Sequence, residues 1–113
     1  MNHSDPYERY KQDAQLLSEI GIVLKSQLPS YRVRVPWRLA SRAIAAWERD
    51  EEGELPAQET ELQTSLRHMA GHLALIGLSL KEAGERVQSD YVELDLDPDF
   101  IDAAVRASQL VGP

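Results

Sequence analysis

The apolar residues fall into six segments, four at the 3.6-residue spacing of a helix and two at the two-residue spacing of a strand. Tyr10, Leu17, Ile20, Leu24 and Leu28 form the first helical stripe, and Ile22 and Val23 widen it. Asp5 can cap this helix, and Pro6 suits the first helical position, where its missing N–H costs nothing. Pro29 and Ser30 close it. Tyr31, Val33 and Val35 then alternate with Arg32 and Arg34, which predicts an extended segment over 31–35 with one apolar face. Pro36 opens a second helix whose stripe is Trp37, Ala40, Ile44 and Trp47, with Leu39 and Ala43 at its flanks. Trp37, Ile44 and Trp47 are therefore expected as core anchors. The acidic run Glu48 to Glu52 ends this helix, with Gly53 as its cap.

The third helix is the longest, expected from near Pro56 to Ala83 with Gly84 as C-cap. Leu62, Leu66, Met69, Leu73, Ile76 and Leu80 share one stripe. Leu75 and Leu78 lie off it, so the helix is apolar on every side from Leu73 to Leu80, the pattern of a surrounded helix. Val92, Leu94 and Leu96 alternate with Glu93 and Asp95, a second extended segment over 91–96. Asp97-Pro98 repeats the cap-then-proline signal and opens a fourth helix, with Ile101, Ala104, Val105 and Ser108 on its apolar face and Phe100 at the edge. No internal repeat and no low-complexity tract is visible. The pattern predicts a mainly α fold: a four-helix domain with a long central third helix and two short extended segments, with residues 1–113 as a single helical domain.

A chain of 113 residues buries enough surface to fold without disulfides or a structural metal. It contains no cysteine, which excludes thiol catalysis, iron–sulfur clusters, cysteine zinc sites and disulfide scaffolds. A net charge of −7 disfavours non-specific binding to nucleic acid or anionic membranes by the chain as a whole. The polar stretch Met1 to Tyr10 has no signal-peptide core, and Leu73 to Leu80 is less than half a membrane span. A soluble cytoplasmic protein is expected.

Charge is segregated. Residues 31–49 hold Arg32, Arg34, Arg38, Arg42 and Arg49 against Glu48, a local charge of +4 that leaves −11 on the remainder. The tracts 48–61 and 90–102 are strongly acidic and offer internal or intersubunit partners for the arginines. The two extended segments are complementary, one presenting Arg32 and Arg34, the other Glu93 and Asp95, so they are expected to pair within a chain or across a dimer. A lone two-stranded ribbon is marginal in water, and this one needs helices or a second ribbon against its apolar face.

Arg32-Val33-Arg34-Val35-Pro36, followed by Leu39 on a helix, resembles the opening of a ribbon-helix-helix DNA-binding domain, over at most residues 31–80. The resemblance implies a dimeric ribbon inserted in the major groove, with Arg32 and Arg34 reading bases and two helices following. That family joins its helices by a short turn; here the acidic stretch Arg49 to Glu61 intervenes, and a long helix precedes the strand.

His68 and His72 stand at i, i+4 on the third helix, the spacing of a helical metal site, with Glu61 two turns earlier on nearly the same side. The run His68-Met69-Ala70-Gly71-His72 lacks the glutamate of the zinc-protease HExxH pattern, and no further ligand is marked by motif. Asp95, Asp97 and Asp99 alternate like early calcium-loop ligands, but Pro98 follows Asp97, and the turn glycine and closing glutamate are missing. Asp97 reads instead as an N-cap and Asp99 as a first-turn acid. There is no phosphate-binding glycine loop and no G-x-S-x-G. No cofactor is expected.

These features favour a non-enzymatic helical protein–protein interaction or regulatory module. It is expected to self-associate as a homodimer through an apolar patch that includes Leu73, Leu75 and Leu78. Arg32, Arg34, Arg38, Arg42, Glu93 and Asp95 are expected around that patch, where segregated charge orients association. The alternatives are a dimeric ribbon-helix-helix-like DNA-binding regulator using Arg32 and Arg34, and a small metal-dependent enzyme using His68 and His72.

Overall fold

Asp5 accepts the Tyr7 amide at 2.9 Å and Pro6 follows it, so helix α1 runs Pro6–Lys25. The chain is described here by a computed structural model over residues 5–49, 55–83 and 90–110. Strand β1 spans Arg32–Pro36 and leads directly into helix α2, Trp37–Glu48. Helix α3, Glu61–Ala83, begins five residues later than Pro56. Its start is fixed by a reciprocal cap: the Gln63 amide N–H donates to Thr60 Oγ1 at 3.1 Å, and the Thr60 N–H donates to Gln63 Oε1 at 3.0 Å. Strand β2, Tyr91–Asp95, and helix α4, Pro98–Leu110, complete the chain, with Asp97 capping α4 through the Asp99 amide at 2.8 Å. The protein is thus mainly helical, with one short ribbon, as the periodicity implies. The caps expected at Gly53 and Gly84, and the acidic run beyond Arg49, lie outside the described residues. No described helix is long and apolar enough to cross a membrane.

β1 and β2 pair antiparallel within the chain, Arg32 opposite Asp95, Val33 opposite Leu94 and Arg34 opposite Glu93. Leu96 N–H to Tyr31 O and Trp37 N–H to Asp90 O extend the ladder by one pair at each end. Val33, Val35, Val92 and Leu94 are buried among the helices, so the ribbon needs no second ribbon to cover its apolar face. The outer edge of β1 is occupied too. The Gln27 side chain donates to Arg34 O and accepts from Arg34 N–H, each at 2.8 Å, which removes that edge as a template for strand addition.

The expected core anchors of α2 are overturned. Trp37 and Trp47 remain 42% and 40% exposed, and Ile44 is only half-buried. The buried side of α2 is instead Leu39, Ala40, Ala43 and Ala46. The helix is rotated so that its small residues face inward, because α2 lies against α3 too closely to admit an indole. A Cβ on Gly77 of α3 would sit 2.1 Å from the Ala43 carbonyl oxygen.

The same contact occurs a second time. A Cβ on Gly21 of α1 would sit 1.9 Å from the carbonyl oxygen of Ala104 on α4. Gly21 and Gly77 are 56 positions apart, and around them Ala14, Leu17, Ile20, Gly21, Leu24 and Lys25 recur as Ala70, Leu73, Ile76, Gly77, Leu80 and Lys81. After the helix the offset becomes 61: Val33, Val35, Leu39, Ala43 and Ala46 correspond to Leu94, Leu96, Phe100, Ala104 and Ala107. The chain is therefore an internal repeat, α1–β1–α2 followed by α3–β2–α4, which corrects the expectation that none exists. The two units are related by an approximate two-fold axis through the Val33–Leu94 pair, the one register pair whose members are also repeat equivalents. They are interleaved: α1 packs mainly on α4 and α3, and α2 mainly on α3, while contact between α1 and α2 is slight.

Two glycines of α3 test this packing. Gly77→Ala forces a methyl group against backbone and is expected to cost about 1–3 kcal/mol. Gly71 is exposed, and a Cβ added there would meet no atom within 4 Å. Gly71→Ala is expected to stabilise by about 0.5–1 kcal/mol through helix propensity alone. Urea unfolding of the two variants should show opposite signs.

Candidate functional site

The polar face of the ribbon holds the charges anticipated from the sequence. Glu93 accepts from Arg32 Nε at 3.1 Å and from Arg34 Nε at 3.0 Å, and Asp95 lies 3.4 Å from Arg32 Nη1. The Arg34 guanidinium carbon also sits 5.0 Å from the centre of the Tyr91 ring. Hydrogen bonds from Arg32 and then Arg34 hold the Glu93 carboxyl below its ordinary pKa, and the bond to Glu93 raises that of Arg32. This face is a mutually neutralised lattice, and its backbone groups at Arg32 are held by the Ser30 hydroxyl.

The other arginines of the basic block find partners where the acidic tracts did not point. Arg42 meets Glu19 at 3.7 Å and Arg49 meets the buried Asp13 at 2.6 Å, so α1 supplies both carboxylates. Arg38 is exposed and makes no ion pair with a described residue.

The apolar interface residues separate. Leu73 is 0% exposed and belongs to the core between the helices, so it has no surface to offer; its place in the expected patch is corrected. Leu78 is half-buried, and Leu75 is exposed. Ile22, the repeat equivalent of Leu78, is exposed as well. Other large apolar groups at the surface are Tyr31, Trp37, Trp47, Leu55, Leu62, Leu110 and Leu28, which lies beyond the end of α1 and off its buried stripe.

A cleft of about 670 Å³ opens between α3 and α4, which hydropathy patterning does not reveal. Met69, Ala103 and Leu110 supply its apolar lining, with Glu61, His68 and Asp99 among its polar groups. His72 also borders it, and its Nδ1 lies 3.0 Å from the His68 carbonyl oxygen. The two histidines are not joined by a further ligand: among the described residues there is no group of three His, Asp or Glu side chains placed to hold a metal ion.

One end of the cleft is fixed by Glu59, which the sequence does not single out. Its carboxylate receives Arg67 Nε at 3.1 Å and Arg67 Nη2 at 2.9 Å, the Thr64 hydroxyl at 3.1 Å and the Tyr7 hydroxyl. These bonds, Arg67 first, hold Glu59 down at about 2. Burial, reinforced by the bond to Glu59, pushes Tyr7 up to about 12. The cluster ties α1 to the segment before α3 and sets the position of the α3 amino terminus.

Two measurements probe these networks. Because the folded pKa of Glu59 is depressed, its contribution is full above the ordinary carboxyl range and is lost as pH falls from there toward 2. The melting temperature of the native chain should therefore exceed that of Glu59→Gln at neutral pH, and the gap should close on acidification below about pH 4. On the ribbon, Arg34→Glu should destabilise and Glu93→Arg added to it should recover part of the loss. A double-mutant cycle by chemical denaturation reads that coupling.

No protein-family model, curated protein or solved structure matches the chain, so its function has to be read from its own surface.

Proposed function

We propose that the chain is a non-enzymatic helical protein–protein interaction module that associates with itself. One observation carries this: Trp37, Trp47, Leu75 and Leu110 stay at the surface while the core between the helices is filled without them. Tryptophan is enriched at the energetic centres of interfaces, and two half-exposed indoles on one short helix are available for such a contact. Arginines that could otherwise serve nucleic acid support the same reading. Arg32 and Arg34 are engaged by Glu93 and Asp95, which share their face and would repel phosphate. Apolar burial resists salt, so association should persist at moderate ionic strength.

Light scattering of the full chain at tens of micromolar, with tryptophan emission followed on dilution, tests the proposal. The expected result is a mass above that of the 12.7 kDa monomer and a red shift of emission as the assembly dissociates. A monomer mass with concentration-independent emission would remove self-association.

A further inference from the structure

The approximate two-fold equates the α3–α4 cleft with the crevice between α1 and α2, and the two differ at the equivalent positions. In the first unit, Asp13–Arg49 and Glu19–Arg42 bridge the helices. Their equivalents in the second are Met69 with Leu110, and Leu75 with Ala103. Both ionic bridges are thus replaced by apolar residues, and Leu110 is left 73% exposed at the mouth. The charge at the rim is inverted as well. Arg38 on α2 corresponds to Asp99 on α4, and neither makes an ion pair with a described residue; Glu61 is likewise unpaired among them. One chain thus carries an open apolar cleft, at whose rim Arg106 is bonded to Asp102 while Asp99 and Glu61 make no ion pair with a described residue, and, at the start of α2, the exposed Trp37 and Arg38.

We propose that the α3–α4 cleft of one copy receives the start of α2, with Trp37 and Arg38, from a second copy. The inference rests on the self-association proposed above and names the surfaces that perform it. Trp37 supplies apolar surface for Met69, Ala103 and Leu110, and Arg38 meets Asp99 at the rim. Charge complementarity selects this occupant: with Arg106 of the cleft taken up by Asp102, a partner presenting the same cleft face would place Asp99 and Glu61 against their own kind. The contact joins two different faces, and its simplest closed form is a reciprocal pair about a two-fold axis, in which both contacts form at once.

Charge exchange between full-length chains tests it. Asp99→Arg puts a positive charge at the cleft rim, facing Arg38 of the next copy. Arg38→Asp puts a negative charge on the α2 face, facing Asp99. Each variant alone should therefore lose the assembled species in sedimentation. In an equimolar mixture, the α2 face of the Arg38→Asp chain meets the cleft of the Asp99→Arg chain with opposite charges, and the assembled species should return. Both positions are exposed, and circular dichroism confirms folding; Leu110→Ser, at the exposed helix end, provides a charge-neutral variant that should also shift the native chain toward monomer. If the native chain assembles and neither charge variant nor Leu110→Ser alters it, this contact is wrong although self-association stands. A mixture that stays monomeric while each variant is folded also overturns it. A native chain that is monomeric throughout overturns both.

Discussion

Two backbone contacts, Gly21 against Ala104 and Gly77 against Ala43, set the geometry from which the rest of the fold follows. A helix brought so near its neighbour that no Cβ fits between them must present small residues, which fixes the rotation of both helices about their axes. In α2 it turns Ala40, Ala43 and Ala46 inward and leaves both tryptophans outside. In α4 it does the same for Ala104 and Ala107. Because each contact joins one repeat unit to the other, neither unit encloses a core by itself. The large apolar cluster draws on both units and on both strands of the ribbon.

A repeat that closes on itself through a two-fold faces a choice of partner, since a unit could equally pair with an identical copy. Charge decides it. Positions equivalent under the repeat carry opposite signs on the ribbon: Arg32 corresponds to Glu93 and Arg34 to Asp95. Pairing unlike units gives the bonded lattice of Arg32, Arg34, Glu93 and Asp95, whereas pairing two basic strands would set arginine against arginine. The segregation of charge is therefore first a device for joining the two halves correctly. Individually these exposed pairs contribute little to stability, but they penalise the wrong combination, which is where specificity resides.

Much of this is legible in the chain and some is not, for identifiable reasons. Proline after aspartate marks the starts of α1 and α4, and strict alternation marks both strands and their pairing. The start of α3 is easily misplaced because Pro56 outweighs a quieter signal, the Thr60-Glu61-Leu62-Gln63 capping box. The tryptophans mislead because hydrophobicity ranks an indole above an alanine, while close helix packing ranks them the other way. The repeat is hidden for the same reason. Its shared residues are Ala, Leu, Ile and Gly at helical intervals, which any amphipathic helix displays, and the offset changes from 56 to 61 between helix and strand. The α3–α4 cleft depends on what lies across from Met69 and Ala103, and local periodicity cannot supply that.

Once the repeat is recognised, each surface position has a built-in control, its equivalent in the other unit. Positions that agree, such as Leu17 with Leu73 and Ile20 with Ile76, are those the two-fold packing demands. Positions that differ without any packing demand show where one unit has been shaped separately. Asp13 and Met69 are such a pair, as are Arg49 and Leu110, and together they turn a bridged crevice into an open one. On the first side the buried Asp13 carboxylate is neutralised by Arg49. Removing both charges on the second side leaves an apolar lining in which Leu110 stays exposed, and apolar surface of that kind gains from being covered.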